Sequence, residues 1–294
     1  MGLKKIIDMV HAPVPTGPVE SIGDALWKFL SEQGATSDTS REPGYHPSGL
    51  YYFCPRKDIL SRVFPKPEAD YKPPEMQMVF DWGTAWHWFV QNHYFGPMGL
   101  LWGSWKCNRC ERTVHETFMP EPCEKCHHWK AGAVKRGGFW TYIEPKVFNK
   151  EWKIPGHADG ILILSKDPAG AKSLLEVKTI NADDFKKLSG PKPEHAFQVN
   201  LYLWLLGLDE CWITYWTKDA KQTKPKVFQI KFDPAVPEET KRRIAFHREA
   251  LKSGELCAGI CPNDQCRSAI YCPWRSECYR SDIEAMVKHR GIPK

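Results

Sequence analysis

A pair of charged residues inside an apolar, strand-forming segment is the first feature of this sequence that could do chemistry. Glu176 and Lys178 lie in the run Leu-Leu-Glu-Val-Lys-Thr. On a β-strand their side chains point to the same side, while Val177 points into the core and its carbonyl remains available as a ligand. Asp159 stands at the start of the preceding apolar run, so an antiparallel pair of strands would bring it beside Glu176.

Two carboxylates and a lysine in this arrangement suit hydrolysis at a divalent metal ion. Such an ion generates hydroxide and shields the negative charge that builds on a phosphate. Mg²⁺ and Mn²⁺ prefer oxygen ligands, and Mn²⁺ also accepts an imidazole. The acid-x-lysine string alone is a weak signal, because the chain repeats it at Asp70, Asp184 and Glu239. Buried charge distinguishes Glu176 and Lys178 from these copies, because buried charged residues are usually functional or paired.

A second chemical signal is a pair of C-x2-C motifs, which twelve residues separate. Two such knuckles form a tetrahedral thiolate site for Zn²⁺, with no open position, so the ion would be structural. The ligands would be Cys107, Cys110, Cys123 and Cys126. Nearby arginine and lysine residues make this segment basic, which fits contact with DNA and, almost as well, contact with protein.

The cysteines near the end of the chain have a different spacing. Cys266, Cys272 and Cys278 follow one another at equal gaps, and neither they nor Cys261 form a C-x2-C pair. A second zinc knuckle is therefore poorly supported. From the residues alone, a disulfide, a zinc ion and a rarer metal centre all remain open.

Composition and charge set broad limits on compartment and partner. The chain has 294 residues and a net charge of +6, which fits a nucleic-acid partner but also fits scattered surface lysines. We find no signal peptide and no long apolar run, so we expect a cytoplasmic protein with no membrane partner, and a phage origin is compatible with this. The tryptophan-rich stretch over 82–105 favours a thick helical core, with base stacking as the alternative.

The pattern of elements predicts a mixed α/β core. We expect helices over 22–33, 48–64, 76–95, 194–206 and 236–252, and strands over 140–148, 154–165, 173–180, 211–218 and 226–232. Residues 103–138 differ in composition, as an insertion would. Four segments follow: an N-terminal helical region (1–102), an inserted zinc-ribbon-like unit (103–138), a core (139–253) and a cysteine-rich tail (254–294).

Several motifs, which occur in the expected order, resemble those of the PD-(D/E)XK nucleases, in their RecB-like exonuclease branch. Asp159, Glu176 and Lys178 match the signature. The segment Gly83-Thr-Ala-Trp-His87 looks like the helix that supplies a metal-binding histidine. Gln198-Val-Asn-Leu-Tyr202 matches the Q-x-x-x-Y motif, which places both side chains on one helix face. Ala158 stands where the signature has proline.

The resemblance implies a restriction-endonuclease-like core, a mixed central sheet flanked by helices. It also implies roles for the site residues. His87, Asp159, Glu176 and the Val177 carbonyl would hold Mg²⁺ or Mn²⁺, and Lys178 would activate water. Gln198 and Tyr202 would line the site and contact DNA. Glu144, in Tyr-Ile-Glu-Pro-Lys, falls where the family has a further acid.

The same branch holds a four-iron, four-sulfur cluster between one N-terminal cysteine and three C-terminal ones. Here the resemblance implies Cys54, Cys266, Cys272 and Cys278, with Cys261 as the alternative to Cys266. Such clusters take four thiolates. The family more often has C-x2-C in this region, and the position that it would need is Ala269.

The function that the resemblance implies is a metal-dependent DNA exonuclease that acts on DNA ends or single strands. Recombination, repair and phage DNA processing are the expected settings, and a helicase or recombination protein is an expected partner. Two alternatives stay open: a structure-specific endonuclease of the same fold, and a nucleic-acid-binding or assembly module with a degenerate site.

Overall fold

A computed structural model describes residues 27–28, 43–65, 74–120, 123–126, 140–165, 167–218 and 224–293. The helix predicted over 22–33 lies outside these ranges except for Trp27 and Lys28. No helix in these ranges combines the length and the apolar character that crossing a membrane requires.

The described strands form one large mixed sheet and one small hairpin. The large sheet has the order β2-β1-β6-β7-β8-β9, with β3 also paired to β1, and β4 pairs with β5 in the hairpin. The strands are β1 (Leu101–Cys107), β2 (Thr113–Phe118), β3 (Trp140–Ile143), β4 (Lys146–Asn149), β5 (Ile154–His157), β6 (Gly160–Ile163), β7 (Lys172–Ile180), β8 (Glu210–Thr217) and β9 (Lys226–Lys231).

Strand β7 lies at the centre of the sheet and carries Glu176 and Lys178. It pairs antiparallel with β6 and parallel with β8. A parallel pair needs a long crossover, which the segment between β7 and β8 supplies with two helices. Residues 173–177 of β7 are all buried, as expected for a strand covered on both faces.

The described helices are α1 (Pro47–Leu50), α2 (Pro55–Val63), α3 (Pro74–Val90), α4 (Ala182–Lys187), α5 (Pro193–Leu206), α6 (Ala235–Ser253), α7 (Arg267–Ile270), α8 (Arg275–Cys278) and α9 (Ile283–Arg290). Of these, α3 and α5 pack on opposite faces of the large sheet. A short π-helical segment, Gln91–Phe95, continues α3. Proline at the first turn of α2 and α5 fits its fixed φ, and Gly207 ends α5 in a left-handed conformation.

Alternating side chains of β7 pack into two separate hydrophobic cores, one on each face of the sheet. Leu174 packs with Val199 and Leu203 of α5 on one face of the sheet. Leu175 and Val177 pack on the other face, in the core that contains Val90 of α3. Glu176 and Lys178 therefore project toward α5, and α3 approaches the same strand from the opposite face.

A third core joins distant ends of the described chain. Ile59 and Leu60 of α2 pack with Trp274, Ile283 and Val287 near the C-terminus. Cys257, Cys272 and Cys278 pack against this cluster. The tail is thereby attached to α2, which follows Cys54.

The mixed α/β class, with helices flanking a central mixed sheet, is confirmed, but several element boundaries differ from prediction. The single helix expected over 48–64 is two helices, because residues before proline avoid the helical region and Cys54 precedes Pro55. The strands expected over 140–148 and 154–165 each divide between the two sheets. The expected insertion begins within β1: Leu101 and Trp102, just before it, pair with β6 of the central sheet, and the rest of the strand pairs with β2 and β3.

Candidate active site

Asp159 lies at the junction of the central sheet and α3. The register Gly160↔Leu175 places Asp159 next to the level of Glu176 on β7. Its Oδ2 accepts a hydrogen bond from the backbone N–H of Val177 at 2.7 Å. Its Oδ1 lies 3.1 Å from Nδ1 of His87. Both carboxylate oxygens are thus fixed by different elements, and Asp159 is 8% exposed.

The end of α3 and the following π-helical segment position the other side of the site. Nε2 of Gln91 donates to Oε1 of Glu144 at 3.0 Å and to the backbone carbonyl of Asp159 at 2.7 Å. The ligand atoms of His87, Glu144 and Asp159 all lie within 4.8 Å of one another. π-Helical segments within helices are frequent at functional sites. These three residues could hold a metal ion.

Glu176 and Lys178 form a buried pair beside this group. Lys178 Nζ lies 2.6 Å from Oε1 of Glu176 and donates to Oε1 of Gln198 at 3.0 Å. Oε2 of Glu176 is buried and has no hydrogen-bond partner within the described parts of the chain. An unpartnered buried carboxylate oxygen is costly, and a bound cation would satisfy it. The donor set of carboxylate oxygens and one imidazole fits Mg²⁺ or Mn²⁺.

Electrostatics divide the acids of the site. Burial alone would raise the pKa of Asp159, but the charge and hydrogen bond of His87 lower it, so Asp159 is ionised. Burial raises the pKa of Glu176 to about 7, against the lowering effect of Lys178. Burial and the charge of Asp159 also raise the pKa of Glu144. Burial works against the protonated form of His87, yet Asp159 raises its pKa. Burial is thus the largest cause of the raised pKa values of Glu176 and Glu144, and a bound cation would lower both.

Helix α5 supplies the wall opposite α3. Gln198 and Tyr202 are both buried on this helix, and Gln198 is the residue whose side chain bonds Lys178. A Cβ atom at Gly156 would lie only 2.7 Å from Cε1 of Tyr202, so glycine in the β4–β5 hairpin lets the tyrosine ring reach its place. Burial and nearby Glu176 raise the pKa of Tyr202, which therefore stays protonated.

The expected residues fall into two neighbouring groups. His87, Glu144 and Asp159 bring their ligand atoms together, whereas Lys178 joins Glu176 to Gln198. The backbone of Val177 connects the groups, since its N–H donates to Asp159; the expected role of its carbonyl as a ligand stays a prediction. Gln91 was not anticipated. Its only signal in the sequence is a polar Gln-Asn pair one turn after His87 in an apolar helix.

The C-x2-C cysteines meet at the end of β1. Sγ of Cys107 lies 3.8 Å from Sγ of Cys126, and Sγ of Cys110 lies 3.6 Å from Sγ of Cys123. All four sulfur atoms lie within 4.8 Å of one another. Burial is outweighed by backbone N–H groups, which lower the pKa of Cys123 to about 6. This group could hold a metal ion.

Four of the remaining cysteines line a cavity of about 200 Å³ between α2 and the C-terminal segment. Its sulfur-bearing walls are Cys54, Cys261, Cys272 and Cys278. Cys266, which the sequence favoured as a cluster ligand, does not line the cavity, although its thiol interacts with that of Cys261. The cations Arg56, Lys57 and Arg275 also border the cavity.

Arg56 and the start of α2 hold the cavity together. Arg56 donates to the backbone carbonyls of Cys257 and Cys278, at 3.2 and 3.1 Å. Sγ of Cys54 accepts from the N–H of Lys57 at 3.4 Å and so caps α2.

Comparisons with known proteins add little. Neither a family model nor a curated protein matches this sequence. Among solved structures, the crystal structure of SSO0001 is 17% identical with a TM-score of 0.43, over 87% of this chain and 95% of that one. An alkaline exonuclease, LHK-Exo, from Laribacter hongkongensis is 18% identical with a TM-score of 0.31, over 38% of this chain and 57% of that one. Its complex with dAMP is also 18% identical, with a TM-score of 0.30, over 37% of this chain and 54% of that one. Because these similarities are slight, nothing about function is inferred from them, and the functional proposal rests on the geometry of the site.

Proposed function

We propose that this protein is a divalent-metal-dependent deoxyribonuclease, and an exonuclease that acts on DNA ends or single strands. The observation that carries the proposal is the buried convergence of His87, Glu144 and Asp159 beside a Glu176 carboxylate oxygen that lacks a partner. A bound cation would satisfy this oxygen and would favour the ionised forms of Glu144 and Glu176, whose pKa values burial raises. Recombination, repair or phage DNA processing, together with a partner helicase, is the setting that we infer.

The residues of the site divide the work between them. His87, Asp159 and Glu176 would hold Mg²⁺ or Mn²⁺, with Glu144 as a further ligand. The ion would supply an activated water and shield the phosphate. Lys178, held between Glu176 and Gln198, places a cation where charge develops on the phosphate oxygens. Tyr202 stays protonated and can donate a hydrogen bond to the DNA backbone.

Cleavage of labelled DNA with Mg²⁺ or Mn²⁺ tests this proposal. Glu176→Gln and Lys178→Met should each lower the rate at least about 100-fold, because each removes a group that acts on the transition state. Asp184 and Lys186 offer a matched control, because they repeat the acid-x-lysine spacing on exposed α4. Asp184→Asn and Lys186→Met should cleave at the wild-type rate. Full activity in both site variants would refute the assignment.

Two further experiments separate the alternatives. A circular single-stranded DNA has no end, so a strict exonuclease leaves it intact and an endonuclease of the same fold cuts it. A degenerate binding module would bind DNA without cleaving it under any divalent ion. The complete set of His87, Asp159, Glu176 and Lys178 favours an active enzyme.

We also propose that the four C-x2-C cysteines hold a structural Zn²⁺. With zinc–sulfur bonds of about 2.3 Å, a tetrahedron has sulfur–sulfur edges of about 3.8 Å. The contacts of 3.6 and 3.8 Å agree with these edges. Since Cys107 and Cys123 are both part of the core under the sheet, the ion would brace β1.

We further propose that the cysteine-lined cavity holds a four-iron, four-sulfur cluster. The ligands that the cavity favours are Cys54, Cys261, Cys272 and Cys278, with Cys261 in place of Cys266. Each thiolate of such a cluster binds a different iron, so the sulfurs surround a space and do not touch. The surrounding cations would offset the negative charge of four thiolates.

A further inference from the structure

Helix α5 carries a third polar side chain on the face that holds Gln198 and Tyr202. His195 lies three residues before Gln198 and seven before Tyr202, so all three share one side of the helix. The rise of an α-helix separates His195 from Gln198 by about 4.5 Å along the axis. His195 is half-buried, whereas the other two are buried. His195 therefore belongs to the same wall of the candidate site and lies nearer to solvent.

The sheet beneath α5 places His195 close to Lys178. Lys178 on β7 pairs with Tyr215 on β8, and paired residues of neighbouring strands direct their side chains to the same face of a sheet. Tyr215 is fully buried, and the ring of His195 packs against it with the two centroids 5.6 Å apart. The imidazole thus lies over the strand next to the one that carries Glu176 and Lys178.

Hydrogen bonds at Tyr215 determine which nitrogen of His195 carries the ring proton. The backbone N–H of Lys192 donates to the Tyr215 hydroxyl oxygen at 3.0 Å, and Nδ1 of His195 lies 2.9 Å from the same oxygen. Burial raises the pKa of Tyr215 to about 12, so the hydroxyl keeps its hydrogen. Among the described residues, the acceptor for that hydrogen is Nδ1 of His195. Nδ1 therefore accepts, and Nε2 carries the proton of the ring.

The imidazole is also neutral and has a free donor. Burial, and then the charges of Lys178 and Lys192, lower the pKa of His195 to about 3. No group in the described part of the chain bonds Nε2, and Nε2 is not a buried atom. A fixed N–H donor beside the lysine of the site suits an anionic oxygen. The anionic oxygens of a DNA strand are those of its backbone phosphates.

We propose that Nε2–H of His195 donates a hydrogen bond to a non-bridging oxygen of the backbone phosphate next to the scissile one. The proposal rests on the proposed nuclease function and assigns a further substrate-binding residue to that site. Lys178 bonds Glu176 and so lies at the scissile phosphate, whereas His195 lies about one helical turn further along α5. Tyr215 fixes the direction of the donor, so the contact orients the strand without adding charge.

Steady-state cleavage kinetics test the contact. His195→Phe keeps a ring and loses the donor. It should raise KM about 10-fold with kcat nearly unchanged, because a bond to a non-reacting phosphate is equally strong in the ground state and the transition state. His195→Gln should restore most of the loss, because its amide N–H can replace Nε2–H. His289→Phe is the matched control and should leave KM unchanged, since His289 is exposed on α9.

A DNA substrate with a single methylphosphonate locates the contact. Placed next to the scissile bond, this group removes a charged oxygen and should raise KM of the wild-type protein about 10-fold. In His195→Phe the same substrate should cause little further loss, because both changes remove one hydrogen bond. A methylphosphonate at a distant phosphate should instead act additively with His195→Phe.

The state of the ring can be measured without cleavage. Long-range ¹H–¹⁵N correlation spectra of protein labelled with ¹⁵N-histidine distinguish a protonated ring nitrogen from an unprotonated one. The signals that His195→Gln removes should show a protonated Nε2 and an unprotonated Nδ1 at pH 7. A protonated Nδ1 would overturn the proposal.

The kinetic outcomes separate this proposal from the nuclease function itself. Unchanged KM in His195→Phe, or additive effects of His195→Phe and the neighbouring methylphosphonate, would overturn the contact while leaving the nuclease in place. Absence of cleavage by the wild-type protein would refute only the nuclease. The affinity for the same DNA, measured by fluorescence anisotropy with Ca²⁺ in place of Mg²⁺, then decides on the contact: His195→Phe should weaken binding about 10-fold, and equal affinity would refute it.

Discussion

The carboxylate site and the cysteine-lined cavity are both proposed to hold metal, yet the protein prepares them differently. In the carboxylate site, hydrogen bonds already fix the ligands: Val177 and His87 hold Asp159, and Gln91 holds Glu144. In the cavity, the thiols lie around an open space between α2 and the short helices α7 and α8. The central sheet supports the first site, and no strand of the described chain supports the second.

This difference predicts that the metal in the carboxylate site controls catalytic activity, whereas the metal in the cavity controls stability. A site that hydrogen bonds position in advance loses chemistry, but little stability, when a ligand is removed. A cavity whose walls come from the two ends of the described chain loses its closure, and with it the third core. Activity and melting temperature should therefore report on different sites.

The largest effect on stability is expected from the cavity. Cys272→Ser should lose the cluster and lower the Tm by about 10 °C, because losing a metal centre costs about 3 kcal/mol or more. Iron content and absorbance near 400 nm of anaerobically purified protein measure the loss. Glu176→Gln should keep both the iron and the Tm. An unchanged Tm without iron would break the comparison between the two sites.

The fourth ligand of the cavity can be assigned by a similar pair of variants. Cys261→Ser should lose iron, because Cys261 lines the cavity, while Cys266→Ser keeps it. Cys261 and Cys266 are five residues apart and their thiols interact, so each variant is a matched control for the other. The reverse result would return the assignment to Cys266.

A smaller effect, now on activity, is expected at Gln91. Gln91→Met removes both hydrogen bonds to the ligand segment and should lower kcat about 10-fold, with the Kd for DNA unchanged. The Mn²⁺ concentration for half-maximal activity should rise, which loss of folding alone would not produce. Gln77→Met is the control, since Gln77 bonds only Asp81 on the same helix in the described chain. An equal loss in both variants would contradict the positioning role.

The smallest effect is expected in the pH dependence of stability, and it comes from His195, which lies near Lys178 of the carboxylate site. Burial, and then the charges of Lys178 and Lys192, lower the pKa of His195 to about 3. An unfolded histidine titrates near 6.5, so the unfolded state binds the extra proton between these values. Stability is therefore present above pH 6.5 and is lost as pH falls toward 3, by on the order of 1 kcal/mol at pH 5.5. Urea unfolding of His195→Gln should show a flatter profile in this window; an identical slope would exclude the effect.

Much of this fold follows from local sequence pattern. The helix expected over 194–206 occurs at Pro193–Leu206, and the strands of β7, β8 and β9 occur where apolar runs predict them. The periodicity of apolar residues and the flanking turn residues are enough to predict these segments. The strand Leu101–Cys107 was missed because its pairing with β6 is non-local and its residues mix apolar and polar types.

The candidate site was predictable where the sequence carries charge within apolar runs, as at Asp159 and Glu176. Gln91 was not, because an amide in a helix has no distinctive spacing and gains its meaning only through Glu144, which lies 53 residues away. For the tryptophan-rich stretch over 82–105, the sequence allowed either a buried core or an exposed surface, and the structure has tryptophans of both kinds. Trp105 is fully buried in the core, whereas Trp82 lies exposed on α3. Only tertiary packing separates the two.

The most direct test of the central claim is a Mn²⁺ titration that records bound Mn²⁺ by electron paramagnetic resonance and DNA cleavage on the same samples. We expect cleavage to rise in proportion to the occupancy of a Mn²⁺ site that Asp159→Asn abolishes, while Asp184→Asn leaves both curves unchanged. Unaltered Mn²⁺ binding and cleavage in Asp159→Asn would show that Asp159 holds no catalytic metal ion.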